Sequence, residues 1–214
     1  MAKKGKCRAE GHPHVTTIIS DVLSKAGIEY WYGKLGTAEA NRVKNAMGVY
    51  GTRAHRIIAT AIFNPLGKLG IGEFEEFQQR IKFLNEEIQK RNLTPVEAEK
   101  HVVCDELGYQ GTLDGLFTDS NDGISIWDLK TGTKRPFDVL LQISAYAYTI
   151  DPTFGHITAF VPYINRLDNE PVSVLSFTGE ELAKGFELFK HVLAIYYGKR
   201  QIQFSTRKRR RKNG

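Results

Sequence analysis

Gly111-Thr112-Leu113-Asp114-Gly115 and Ile126-Trp127-Asp128-Leu129-Lys130-Thr131-Gly132 flank the turn sequence Asp119-Ser120-Asn121-Asp122-Gly123, and this stretch decides the fold. Both flanks read as strands, so the whole reads as a hairpin. Side chains alternate faces along a strand, which groups Asp114 with Thr112 and Leu116, and Asp128 with Ile126 and Lys130. A hairpin centred on Asn121 sets Asp114 opposite Asp128, with Cβ atoms roughly 4.5 to 5.5 Å apart. Centring it on Asp122 turns Asp114 toward Lys130 instead. A two-residue loop with Asp122-Gly123 at its centre puts the aspartates on opposite faces, although Asp-Gly is a good turn pair. The longer loop is expected, with all three charged groups on one face.

Two carboxylates and an ammonium on paired strands are poor core residues, because burying unpaired charge costs several kcal/mol. Facing carboxylates repel unless something positive lies between them, and hard oxygen ligands at that spacing suit Mg²⁺ or Mn²⁺. The plain alternative is two surface aspartates with Lys130 as their salt-bridge partner.

Around the hairpin, the 214 residues, 41% hydrophobic and 25% charged, suit one globular domain with a continuous core. Residues 13–204 are expected to form it, between a flexible basic segment at 1–12 and a disordered basic tail at 205–214. Lys3, Lys4 and Lys6 are not followed by an apolar run of signal-peptide length. No run approaches the ~20 apolar residues of a membrane span, so a cytosolic protein without a membrane partner is expected. Two cysteines, Cys7 and Cys104, are too few for a disulfide framework or a four-cysteine iron-sulfur cluster. Zinc at Cys7, His12 and His14 lacks a fourth ligand at an ordinary spacing.

The net charge of +6 is concentrated in Arg207, Lys208, Arg209, Arg210, Arg211 and Lys212; without these six, 24 basic residues face 24 acidic ones. Such a run binds nucleic acid through counterion release or is simply a solvated end.

Apolar spacing predicts helices over Thr16 to Ala26, Ala38 to Ile62 and Glu73 to Arg91, with a break at Pro65 and the glycines 67, 70 and 72. Thr94-Pro95-Val96-Glu97 resembles a helix start. Strands are expected at Val102 to Asp105, Tyr109 to Thr118 and Gly123 to Lys130, then a helix at Phe137 to Ile150. Strands at His156 to Tyr163 and Pro171 to Phe177 and a closing helix at Gly179 to Tyr197 complete an α/β fold, a small mixed sheet with helices on both faces.

Four pieces in order extend the pattern: Gly51-Thr52-Arg53-Ala54-His55; Glu99; Gly111-Thr112-Leu113-Asp114 with Asp128-Leu129-Lys130-Thr131-Gly132; and Gln142-Ile143-Ser144-Ala145-Tyr146. From Tyr50 to Tyr146 the chain resembles the PD-(D/E)XK nuclease superfamily, in particular its RecB-like and phage-type exonuclease branch, which includes the mitochondrial genome maintenance exonucleases. Leu113-Asp114 stands where that family's name has Pro-Asp. The resemblance implies a restriction-endonuclease-like core of helix, three antiparallel strands, helix and strand.

It also implies a Mg²⁺- or Mn²⁺-dependent DNA exonuclease of recombination, repair or phage DNA processing, with no iron-sulfur cluster. A single-strand or flap endonuclease of the same superfamily and a nonenzymatic DNA-binding protein are the alternatives. Asp114 and Asp128 are then metal ligands, joined by His55 and the carbonyl of Leu129, with Lys130 beside the attacked phosphate. Glu99 is a further acidic ligand, for which Glu97 competes. Gln142 and Tyr146, one helical turn apart, contact DNA or support the metal site. Thr131, Lys134 and Arg135 form a loop suited to backbone phosphates. Tyr30-Trp31-Tyr32 is either packing or a stacking platform for unpaired bases. DNA ends or single strands are the expected partner, with a recombination or replication protein as a further candidate and the oligomeric state open.

Overall fold

The hairpin closes around Asn121. In the computed structural model, β2 (Tyr109–Thr118) and β3 (Ile124–Trp127) pair antiparallel from Thr118 opposite Ile124 to Gly115 opposite Trp127. That register requires the longer loop. Asp119 builds it: its Oδ1 accepts from the backbone N–H groups of Asn121 at 2.8 Å and Gly123 at 2.9 Å. Asp122 takes the left-handed conformation, φ 58°, that such a loop needs.

The structure describes the backbone of residues 11–23, 26–64, 67, 70–164 and 172–212, and their side chains except those of Ala26 and of 203–212. Four helices precede the sheet: α1 (Val15–Val22), α2 (Ala26–Leu35), α3 (Thr37–Phe63) and α4 (Ile71–Lys90). After them come β1 (Thr94–Cys104), β2, β3, α5 (Pro136–Ile150), β4 (Ile157–Tyr163), β5 (Ser173–Phe177) and α6 (Gly179–Lys212). Strand order is β1-β2-β3-β4-β5, with β3 and β4 parallel and the other neighbours antiparallel. The parallel pair needs a crossover, which α5 supplies, opened by Pro136 in its first turn. This is the expected mixed α/β sheet with helices on both faces.

Each face has its own core. Ile57, Ile58, Phe77 and Leu84 of α3 and α4 cover Phe117, Trp127 and Phe160 on one side. On the other, Val15, Ile18, Leu141, Phe186 and Phe189 of α1, α5 and α6 cover Tyr109, Leu113 and Ile126. Among the described residues no helix is long and apolar enough to cross a membrane.

Three expectations need correction. The first helix ends at Val22, where Leu23 turns extended, and a separate helix, α2, follows. Gly27 and Gly33 weaken the helical signal of α2 in the sequence; packing along α3 supports it, with Tyr32 Oη donating to Asn41 at 2.9 Å. Thr94 to Glu97 is strand rather than helix. Pro95 fits because β1 is an edge strand whose register shifts between Pro95 and Glu97. The last helix runs on past Tyr197 to Lys212, through a segment that holds no proline.

Close packing at Gly115 gives a contrast with an open glycine. A Cβ there would lie 2.4 Å from the Phe63 ring and 2.7 Å from Trp127 Nε1, whereas one on Gly48, inside α3, meets nothing within 4 Å. Gly115→Ala is therefore expected to destabilise by about 1–3 kcal/mol through overpacking. Gly48→Ala should stabilise by about 0.5–1 kcal/mol through helix propensity. Urea unfolding midpoints check both, and equal shifts of the same sign would contradict the packing at Gly115.

Candidate active site

Beyond Gly115 and Trp127 the two central strands part. Asp128 to Lys130 stay with β4: Lys130 N–H donates to Pro162 O at 2.8 Å, and Ile164 N–H donates to Lys130 O at 2.8 Å. The N–H of Leu129 donates to Asp114 Oδ2 at 2.7 Å. A side chain thus takes the place of a strand where the sheet forks. Alternation along β2 breaks here as well. Leu113 packs with the α5 and α6 side, as does Leu116 three residues on, while Phe117 joins the α3 and α4 side. The expectation that Asp114, Asp128 and Lys130 share one face is accordingly corrected: Asp114 meets α3, and Asp128 and Lys130 meet α5.

Asp128 is 4% exposed and sits in a closed polar network. Its Oδ2 is ion-paired with Lys130 Nζ. Gln142 Nε2 donates to Asp128 Oδ1 at 2.8 Å, while Lys130 Nζ donates to Gln142 Oε1 at 2.9 Å. One amide therefore holds acid and base together, using its acceptor on one and its donor on the other. Burial pushes the Asp128 pKa up, and the Lys130 ammonium offsets this in part. Burial works against charge on Lys130, but Asp128 outweighs it and keeps the ammonium favoured, its pKa raised. Tyr146 Oη receives a bond from Gln142 Nε2 at 3.3 Å, and burial raises the phenol's pKa. Gly111 makes room for that ring, since a Cβ there would lie 2.3 Å from Tyr146 Cε1. Gln142 is 8% exposed and Tyr146 2%, so both side chains are largely buried. Their place is beneath the acid–lysine pair.

On the other side of the fork, His55 Nδ1 lies 3.2 Å from Asp114 Oδ1. Burial opposes charge on the imidazole, but the hydrogen bond and negative charge of Asp114, with Asp128 farther off, raise its pKa above the ordinary value. Gly51 lets α3 approach the loop after Lys130: a Cβ there would lie 2.9 Å from Thr131 Oγ1. His55, Asp114, Glu99 and Arg56 line a cleft of about 640 Å³ between α3 and the sheet. Glu99 falls between the pairs Ala98–Gly115 and Lys100–Leu113, across from Asp114, and its left-handed backbone, φ 53°, marks a kink in β1. Glu97 instead pairs with Lys100 at 2.5 Å. Among the described residues no three histidine, cysteine or carboxylate side chains stand close enough together to hold an ion as they are.

The other sequence expectations are dispersed. Thr131 is half-buried against α3, and Lys134 and Arg135 are exposed. Arg135 pairs with Asp138 at 2.8 Å. Tyr30 is 75% exposed on α2, with Trp31 and Tyr32 half-buried. His12 contacts Asp105 at 3.1 Å, whereas Cys7 lies outside the described residues. So do the side chains of Arg207 to Lys212, although the backbone there is helical. Two residues near the site went unread in the sequence. Tyr163, beside Lys130 on β4, has a buried hydroxyl that makes no hydrogen bond among the described residues. Arg56, next to His55, carried the one available signal, its adjacency to a motif.

No protein-family model matches the chain, and no curated protein sequence does. Among solved structures, an alkaline exonuclease from Laribacter hongkongensis is similar at 11% identity and a TM-score of 0.45, covering 92% of each chain. The same enzyme in complex with dAMP gives 11% identity and 0.43, covering 95% of this chain and 94% of that one. At such values the chemistry has to be read from the site's own side chains.

Gln142→Leu strands Asp128 Oδ1 and leaves Lys130 only its carboxylate partner, which should cost about 1–3 kcal/mol in urea unfolding; an unchanged midpoint would show the network to be incidental. For His55, a pKa raised by folding means that its stabilisation is fully present below the unfolded value near about 6.5 and is lost as pH rises through the higher folded value. In the presence of chelator, the stability gap between wild type and His55→Gln should therefore be larger at about pH 5.5 than at about pH 8.5. A gap that widens at alkaline pH would contradict the charged pair.

Proposed function

We propose that the chain is a divalent-metal-dependent deoxyribonuclease that hydrolyses phosphodiester bonds from DNA ends. The observation that carries this reading is the fork between β2 and β3, which gathers Asp114, Asp128 and Lys130 with one helix behind each acid. Cutting a phosphodiester requires an activated water, neutralised charge around phosphorus and a stabilised leaving oxygen. Carboxylates, an imidazole and a fixed ammonium in one fork are the residue types that serve those needs.

The donor set suits Mg²⁺ or Mn²⁺: hard carboxylate oxygens of Asp114 and Asp128, the His55 imidazole and, in this reading, the Leu129 carbonyl. Asp128 Oδ2 supports the fit, being buried and met among the described residues by the Lys130 ammonium alone. Glu99 would join directly or through water from the cleft wall. When bound, the ion would supply positive charge at the phosphate and lower the pKa of water.

The chain's own residues do the rest. Gln142 retains Lys130 through its Oε1, so Nζ keeps a fixed position from which it can donate to a phosphate oxygen or orient the attacking water. His55 shares its Nδ1 contact with Asp114, which couples the imidazole's protonation to the acid. Thr131, Lys134 and Arg135 lie on the loop that leaves the fork, where hydroxyl, ammonium and guanidinium groups can meet flanking phosphates. The basic run Arg207 to Lys212 would add salt-dependent affinity without sequence preference. Recombination, repair or phage DNA processing is the setting such an activity serves.

End-labelled linear DNA and circular DNA of the same sequence, incubated with Mg²⁺, Mn²⁺ or EDTA, test this directly. Wild type should degrade the linear strands only with metal. Lys130→Ala, Asp114→Asn and Asp128→Asn should each lose at least about 10²–10³ in rate. Cleavage of circles would reassign the mode to endonuclease, and binding of every substrate without any cleavage would leave only a DNA-binding protein.

A further inference from the structure

We propose that Arg56 is a contact for a DNA backbone phosphate, kept in place by Glu73 until the phosphate exchanges for that carboxylate. The proposal rests on the nuclease reading and adds to it a substrate-binding residue. Arg56 directly follows His55 on α3 and lines the same cleft as His55, Glu99 and Asp114. Two of those neighbours are acids, and a polyanion entering a cleft of that sign is repelled unless a cation faces it. Among the cleft's described lining residues, Arg56 carries the one permanent positive charge.

Its partner is Glu73, in the first turn of α4. The side chains are 51% and 33% exposed, so the pair is wet, and ion pairs of that kind are weak. Glu73 meets the guanidinium through Oε1, its Oε2 facing Gly70, whereas a phosphate can offer the planar fork two oxygens. Glu73 is not stranded by the exchange. It accepts from the Gly70 N–H at 3.4 Å and sits at a helix N-terminus, where negative charge is favoured. One turn earlier on α3, Arg53 makes a similar pair with Glu76 at 2.5 Å but does not line the cleft. That second pair is a built-in control.

The test is a double-mutant cycle on binding of a fluorescein-labelled single-stranded oligonucleotide, read by anisotropy in EDTA so that no cleavage occurs. Arg56→Gln should raise Kd about fivefold, the scale of one exposed ion pair, and reduce the salt slope by about 0.7. Arg56→Lys should recover part of the affinity by keeping the charge without the fork. Glu73→Gln, which retains an acceptor for Gly70, should lower Kd about threefold in wild type and leave the Arg56→Gln protein unchanged. Glu76→Gln should have no comparable effect. Unaltered binding by Arg56→Gln overturns the proposal. So does a Glu73→Gln gain that persists without Arg56, which would make Glu73 a general repulsive charge. Cleavage by wild type in Mg²⁺ is scored separately, so a protein that shows the cycle but never cuts DNA refutes the nuclease reading and leaves the phosphate contact standing.

Discussion

The bond from the Leu129 N–H to Asp114 Oδ2 is the interaction on which the rest of the site depends. When a strand leaves its neighbour inside a domain, it exposes backbone donors that cost free energy if left unmet. Here the carboxylate meets that need, so β3 can stay with β4 while parting from β2. The notch so opened is where a chemical group from outside can approach the ends of both strands. Because only one oxygen of Asp114 is used, the other is free to face His55. A backbone requirement and a chemical one are met by the same side chain.

The second constraint is the burial of Asp128. A carboxylate at 4% exposure persists only if it is paired and hydrogen-bonded. Lys130 provides the charge and Gln142 the geometry, its amide oriented by having an ammonium on one end and a carboxylate on the other. Two glycines make these contacts possible. Gly111 yields space to the Tyr146 ring below the network, and Gly51 lets α3 close on Thr131. The result is buried and hydrogen-bonded on the α5 side and open on the α3 side, where His55, Glu99 and Arg56 border the cleft.

Much of this was legible in the sequence. The longer loop followed from placing the charged groups on one face, against the local signal of Asp122-Gly123 as a turn pair, and left the centre at Asn121 or Asp122; the structure chose Asn121, where Asp119 accepts from Asn121 and Gly123 and Asp122 takes a positive φ. Helix α3 and strand β2 followed from apolar period. Helix α2 did not, since two glycines in ten residues hide a helix that leans on its neighbour. The strand at Thr94 read as a helix start because Thr-Pro-x-Glu is a local signal for a cap, and only its place at the sheet edge, with a register shift, makes the proline acceptable there.

The sequence by itself determined which residue types meet at the centre: two acids and a lysine on neighbouring strands, with a histidine and a glutamine on the flanking helices. Only the tertiary structure decided how they divide. Strict alternation would put Asp114 on the face of Asp128 and Lys130, but β2 breaks alternation at the fork, where Lys130 pairs with β4 instead. Likewise, a glutamine one turn from a tyrosine can face solvent or core, and nothing local chooses between them. The Asp128–Lys130 pair on the neighbouring strand segment makes that choice, because Gln142 donates to the buried carboxylate and accepts from the ammonium.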